Sequence, residues 1–180
     1  MDNILEPWLM RQLSEGKALE AQSDLFDLVP TDNSPAPQRY VVCYHCTGLV
    51  RAANGQIEEA NQFAVGIWFP DDYLRHVEPF QVTTWLAPRE IFHPNVSDRA
   101  PFICVGRIGP GTPLVDLIDQ VHQIITFNKL TVREDDALNR DACVWARRND
   151  RRFPIDTRPL KRRALDFNIE VVGEVVGADV

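Results

Sequence analysis

The sequence predicts an α+β domain on three observations: helical apolar spacing near the N-terminus, short Val-, Tyr- and Thr-rich segments between residues 25 and 86, and a strong apolar stripe over 114–125. The first element is a helix over residues 4–22, with Ile4, Trp8, Leu9, Leu13 and Leu19 on or near one stripe. Pro7 suits its first turn, and Gly16 weakens its later half. Residues 25–29 form a short strand closed by Pro30, and "TDNSPAPQ" is a loop by composition. Residues 39–50 read as one strand. The Asn54-Gly55 turn signal then predicts a hairpin with a strand at 62–69, and 80–86 is a further strand. In the next helix Leu114, Leu117, Ile118, Val121, Ile124 and Ile125 share one face, with Thr112 as N-cap, Pro113 at the first helical position and Asp116 near the positive end of the dipole. A last helix starts near Asp135 or Asp136 and ends near Arg148, with Leu138, Ala142, Val144 and Trp145 as its apolar residues.

Global properties narrow the class. The 180 residues fit one domain, and 44% hydrophobic with 25% charged residues is an ordinary globular composition. No apolar run nears the roughly 18 residues of a membrane span. "MDNILEPWLMRQ" has acids where a secretory signal needs bases, and four cysteines do not make a disulfide framework. A cytoplasmic protein is expected. The net charge of −7 conceals a segment from residue 147 to 163 with eight basic residues (Arg147, Arg148, Arg151, Arg152, Arg158, Lys161, Arg162, Arg163) and two acids, a net of +6 that leaves −13 elsewhere. Such a run can bind nucleic acid, but no interleaved aromatics or nucleic-acid motif accompany it, so a solvated or internally paired strip is the expectation.

Four stretches carry a family resemblance: "GIWFPDDYLRHVEP", "IFHPNV", "ICVG" and "REDDAL". In this order, between the same elements, they resemble the core of a ubiquitin-conjugating enzyme over residues 1–150. Phe69-Pro70-Asp71-Asp72-Tyr73 and Pro79 match that family's Phe-Pro-x-x-Tyr-Pro-like stretch. Phe92-His93-Pro94-Asn95 matches its aromatic-His-Pro-Asn turn, Cys104 its catalytic cysteine, and Asp135-Asp136 its acidic loop. The resemblance implies an N-terminal helix, a four-stranded antiparallel meander, a crossover helix and a C-terminal helix, with residues 151–180 a basic, then apolar, extension of the same domain. Two departures stand out. The family's tryptophan after the cysteine is replaced by "GRIGPGTP", and its further C-terminal helices are not recognisable after Asn149. Such divergent versions resemble the bacterial conjugating enzymes of antiphage operons that also encode a ubiquitin-like protein, an activating enzyme and a deubiquitinase-like peptidase.

The resemblance assigns roles residue by residue. Cys104 would accept the ubiquitin-like protein's C-terminal acyl group from the activating enzyme and pass it to an amine of a protein substrate. A thiolate is a good nucleophile, and a thioester stays reactive toward nitrogen. Gly106, Gly109 and Gly111 could leave room for a threaded tail. Asn95 would donate a side-chain N–H to the oxyanion or hold the nearby loop. His93 supports the turn by bonding backbone, and Pro94 fixes its geometry. Asp136, beside Asp135, would orient the amine, unless these acids merely cap the following helix. Trp8, Arg11 and Gln12 match the region that docks the activating enzyme, and Asp116, Asp119 and Gln120 the face where the donor rests. No cofactor is implied, and without a Gly-rich phosphate loop nucleotide hydrolysis belongs to another protein.

Other readings compete. "CYHC" invites a metal site, but on a strand Cys43 and His45 face one side while Tyr44 and Cys46 face the other, so Cys43, His45 and Cys46 cannot converge on one ion. Cys143, His76 and His122 read as structural or solvated. A lone Ile-Cys-Val would make Cys104 a core residue. Two whole-protein alternatives remain: an inactive binding module of the same fold, and a nucleic-acid-binding protein using residues 147–163.

Overall fold

The computed structural model describes residues 4–160. Lys161, Arg162 and Arg163 of the basic segment, and the apolar extension after them, lie outside the described residues. The fold is mixed α+β, with an N-terminal helix and a four-stranded antiparallel sheet. In chain order come α1 (Leu5–Glu20), β1 (Phe26–Pro30), β2 (Arg39–Tyr44), β3 (Gly48–Arg51), β4 (Ile57–Ala60) and β5 (Phe63–Trp68). A single helical turn α2 (Pro79–Val82), β6 (Thr83–Ala87), α3 (Leu114–Ile125), α4 (Arg140–Arg148) and a 3-10 turn (Asp150–Arg152) complete it.

The main sheet runs β1-β2-β5-β6, all antiparallel. Alternation places one side chain in two on the core face. Register stacks these into rows, Phe26–Tyr44–Phe63 and Leu28–Val42–Val65, each buried. α3 covers that face with Leu114, Leu117, Ile118, Val121, Ile124 and Ile125, and the Tyr44 hydroxyl donates to the Ile118 carbonyl at 3.0 Å. α1 packs against α3 and β1. A Cβ on Gly16 would come within 2.6 Å of Leu28 Cδ2, so the glycine allows this close approach. Lys17 donates to the Leu28 carbonyl at 2.6 Å and Glu20 accepts from the Leu28 N–H at 2.6 Å, which clamps the end of α1 onto β1.

Several sequence expectations are corrected. The single strand over 39–50 is two strands in different sheets. The chain breaks at His45-Cys46-Thr47, where Cys46 turns into the core and the Thr47 N–H goes to the Asp156 carboxylate at 3.0 Å. The Asn54-Gly55 turn does form, with Gly55 at φ +81°, but it joins β3 to β4 in a separate two-stranded sheet. β5 pairs instead with β2 and β6. The strand at 80–86 begins later, because residues 79–82 make the α2 turn with Pro79 at its start. Ile4 is exposed rather than part of the buried stripe of α1. Pro113, not Thr112, occupies the N-cap of α3, while the Thr112 hydroxyl turns back to donate to the Gly109 carbonyl at 2.8 Å. α4 starts at Arg140, not near Asp135 or Asp136, because the Asn139 side chain caps it by accepting from the Ala142 N–H at 3.0 Å.

A second, smaller core lies beside the first. Leu49, Phe92, Phe127, Ala142 and Ala146 are buried there, with Trp145, Phe153 and Ile155 packed around them. The two cores meet at residues 91–105, where Ile91, Val96, Ile103 and Val105 face the main one and Phe92 the other. The β3–β4 hairpin is tied to the same stretch, with the Phe92 N–H donating to the Leu49 carbonyl at 2.9 Å.

Gly48 tests this packing. A Cβ there would meet Phe63 Cζ at 2.7 Å and the Ile125 backbone oxygen at 3.0 Å. Gly48→Ala is therefore expected to cost about 1–3 kcal/mol, read as a lower urea midpoint at unchanged m. An unaltered midpoint would contradict this contact.

Candidate active site

Residues 93–104 fold back on themselves as an irregular hairpin. The Val96 N–H donates to the His93 carbonyl at 3.1 Å, Val96 bridges Ile103, and the Ser97 N–H donates to the Phe102 carbonyl at 2.9 Å. The hairpin ends with Cys104 against Asn95. The Cys104 N–H donates to the Asn95 carbonyl at 2.8 Å, and Asn95 Nδ2 donates to the Cys104 carbonyl at 3.0 Å. Asn95 Oδ1 then accepts the Thr131 N–H at 2.8 Å. One buried amide thus joins the cysteine to the loop after α3. Holding the loop uses its oxygen and one N–H, which leaves the second N–H as its remaining donor.

His93 is fully buried. Its Nδ1 accepts the Asn95 N–H at 3.0 Å, and its ring packs on Phe127 at 4.3 Å between centroids. Burial holds the imidazole neutral, with its pKa lowered from 6.5 to about 3. Among the described residues its Nε2 has no hydrogen-bond partner. A ring sealed in this way braces the turn and exchanges no proton with solvent. Phe127 has φ +60°, a left-handed conformation uncommon for a residue with a Cβ, and its ring is held edge-on to His93 and stacked on Phe153. The Pro94 carbonyl accepts two N–H groups, from Leu138 at 2.9 Å and Asn139 at 3.2 Å.

Residues 131–138 are therefore anchored at both ends to the turn, through Thr131 on Asn95 and Leu138 on Pro94. Asp135 and Asp136 project from this span into solvent. The Asp136 carboxylate lies 3.4 Å from Arg133 Nε. Neither acid caps α4, so that alternative is corrected. Glu134 is held by Arg140 at 3.1 Å and by Arg147, and these cations lower its pKa.

Behind Cys104 the "GRIGPGTP" segment is ordered by its own turns. Gly106 and Gly111 take φ +94° and +77°, Ile108 is buried, and the Tyr73 hydroxyl donates to the Thr112 carbonyl at 2.9 Å. That bond ties the Phe-Pro-x-x-Tyr stretch to the segment after the cysteine. Sequence reasoning missed Lys129, whose Nζ donates to the Val105 carbonyl at 2.6 Å and to Gln120 Oε1 at 3.3 Å. It missed Thr131 as well, which acts through a backbone N–H that any non-proline residue would supply.

The two candidate docking faces differ in accessibility. Asp116, Asp119 and Gln120 are half-buried on α3, with Asp119 accepting from Gln123 Nε2 at 2.8 Å. On α1, Arg11 is exposed beside Glu15, while Trp8 is half-buried against Phe69 and Tyr73 at 5.1 and 5.4 Å. Gln12 is corrected: it is fully buried, and its Oε1 accepts the Leu114 N–H at 2.9 Å at the start of α3, which leaves none of it for a partner.

All four cysteines are free. Cys46 and Cys143 are buried, and burial pushes their thiols up, Cys46 to about 12. Cys43 and Cys104 are half-buried. His45 reaches Asp27 at 2.7 Å on the sheet's open face, away from the buried Cys46, and His76 pairs with Glu78 at 2.9 Å. Among the described residues no cluster of His, Cys, Asp or Glu could hold a metal ion, and no helix is long and apolar enough to cross a membrane. Comparison with known proteins gives no matching family model and no match among curated proteins.

Two outcomes follow for the turn. Asn95→Ala strips partners from the Cys104 carbonyl and the Thr131 N–H, and is expected to cost about 1–3 kcal/mol in denaturant unfolding. The second concerns pH. A lowered folded-state pKa means the unfolded chain takes up His93's proton first, so its stabilisation is full above 6.5 and is lost as pH falls toward 3. The slope is about 1.4 kcal/mol per pH unit per histidine, and the buried His122, also shifted down, acts in the same direction. Between pH 7 and 5 the urea midpoint should drop, and His93→Gln should flatten that drop. An equal drop in the variant would mean that His93 does not drive it.

Proposed function

We propose that this chain is a conjugating enzyme of the ubiquitin-like type, carrying a ubiquitin-like protein as a thioester on Cys104 and passing it to an amine of a protein substrate. The observation that carries the reading is the pair of hydrogen bonds between Asn95 and the Cys104 backbone. The His-Pro-Asn turn, recognisable in sequence, is held against the backbone of a half-buried cysteine. The anchoring of the Asp135-Asp136 loop to the same turn supports it further.

In the first step the Cys104 thiolate attacks the acyl carbonyl on the activating enzyme, and collapse of the tetrahedral adduct expels that enzyme's cysteine thiolate. In the second, an amine attacks the Cys104 thioester, the C–N bond forms, Cys104 leaves as thiolate and the surplus amine proton passes to solvent. The free Nδ2–H of Asn95 is the nearby side-chain donor available to the oxyanion. Asp136, exposed within an anchored span, is suited to orient the incoming ammonium before it loses its proton. A partnership with an activating enzyme and membership of a bacterial antiphage pathway belong to the same proposal and rest on the resemblance, and cytoplasmic placement joins it on cysteine usage.

The non-catalytic alternative, a binding module of the same fold, differs only at Cys104. The nucleic-acid alternative loses support because three of the five described arginines in the basic segment are paired internally. Arg147 meets Glu134, Arg152 lies 3.7 Å from Glu59, and Arg158 lies 2.7 Å from Asp156.

Reconstitution with the cognate activating enzyme, its ubiquitin-like protein and ATP separates these readings. A thiol-sensitive adduct is expected on a non-reducing gel, lost in Cys104→Ala and replaced by a more persistent oxyester in Cys104→Ser. No adduct on the native chain beside a demonstrably active activating enzyme would sink the proposal.

A further inference from the structure

We infer that Lys129 is a positioning residue for Cys104, fixing the backbone that leaves the thiol and coupling it to α3. The inference rests on the reading of Cys104 as the acyl-accepting nucleophile.

Asn95 holds both peptide groups that flank Cys104, one through the Cys104 N–H and the other through the Cys104 carbonyl. The next peptide, between Val105 and Gly106, is held by Lys129 at 2.6 Å. Three successive peptide planes around the sulfur are thereby set by two side-chain-bearing positions on separate loops. The Lys129 backbone is itself fixed, its N–H donating to the Gln123 carbonyl at 2.9 Å at the end of α3, so the amine is a brace with both ends tied. Gly106 accommodates it: a Cβ there would lie 3.1 Å from Lys129 Nζ, and φ +94° already disfavours any other residue.

The second partner extends the coupling. Gln120 Oε1 receives another N–H of the same ammonium at 3.3 Å, and Gln120 lies on the α3 face that the resemblance assigns to the donor protein. Anything that displaces Gln120 therefore pulls on the group that holds the Val105 carbonyl. Among the described residues no carboxylate pairs with Lys129. An amine bonded to a carbonyl and an amide oxygen keeps one further N–H close to the cysteine segment.

Two measurements test this, both in a Cys43→Ser background so that Cys104 is the one half-buried thiol. The first is alkylation of Cys104 in the isolated full chain by iodoacetamide, followed by mass spectrometry. Lys129→Met is expected to speed it several-fold, because the released Val105 segment exposes the thiol, while Lys129→Arg keeps the native rate. The second is single-turnover discharge of the thioester to free lysine. Lys129→Met should slow it about tenfold through misplacement of reacting groups, with the KM for the charged activating enzyme in a separate charging assay unchanged, Lys129→Arg restoring the rate and Gln120→Ala giving a smaller loss. Rates for Lys129→Met within twofold of native in both measurements would overturn the inference while leaving the proposed function standing. So would a loss that Lys129→Arg does not rescue and that a lowered Tm accompanies, since that marks a purely structural role. If the native chain forms no thioester, the proposed function fails and the alkylation result still decides what Lys129 does to Cys104.

Discussion

Burial of α3 governs where the rest of the molecule can go. A helix of twelve residues spans about 18 Å, and nearly all of its apolar side chains are removed from water between the sheet and α1. Its ends still need partners for their free backbone groups. At the start, Gln12 reaches in from α1 to accept the Leu114 N–H, and at the finish the Thr126 hydroxyl donates to the His122 carbonyl. The segment that enters α3 carries Cys104, and the segment that leaves it carries Lys129, Thr131 and the acidic loop. Since the helix cannot shift without opening the core, these two segments hold a fixed relation across the turn at 93–95.

That turn sits on the seam of two hydrophobic clusters, which explains its unusual demands. His93 packs its neutral ring on Phe127 of the smaller cluster and accepts from the backbone at once. Its full burial there shields it from solvent. Asn95, one step nearer the surface, has enough hydrogen-bonding groups to serve the loop and the cysteine together. The division of labour between neighbouring residues follows from depth alone.

Much of the architecture was legible in the sequence because it is local. Strand-favouring composition between turn residues marked β1, β2 and β5, the apolar stripe marked α3, and Asn54-Gly55 marked a turn in the right place. The misreadings share one cause, which is that distant residues decided the outcome. The strand at 39–50 breaks where Asp156, more than a hundred positions later, takes the Thr47 N–H. Gln12 looks like a surface residue of an amphipathic helix until α3 arrives with an unpaired donor. Asn139 outcompetes Asp135 and Asp136 as a cap because Pro94 captures the N–H groups of Leu138 and Asn139. At the candidate site, the motif residues could be named from sequence, whereas Lys129 and Thr131 had no signal: one acts on a backbone carbonyl and the other through its own backbone.

The lysine that reaches from α1 to β1 and the lysine beside the Cys104 segment also share a property. Arginine outnumbers lysine sixteen to three in this chain, and both described lysines have their amines held against backbone carbonyls, Lys17 on Leu28 and Lys129 on Val105. A protein bearing an activated acyl group endangers itself through its own primary amines, and guanidinium groups are far poorer acceptors. If Cys104 carries a thioester as proposed, an arginine-rich chain with its described lysines engaged would offer few internal amines to compete with one from elsewhere.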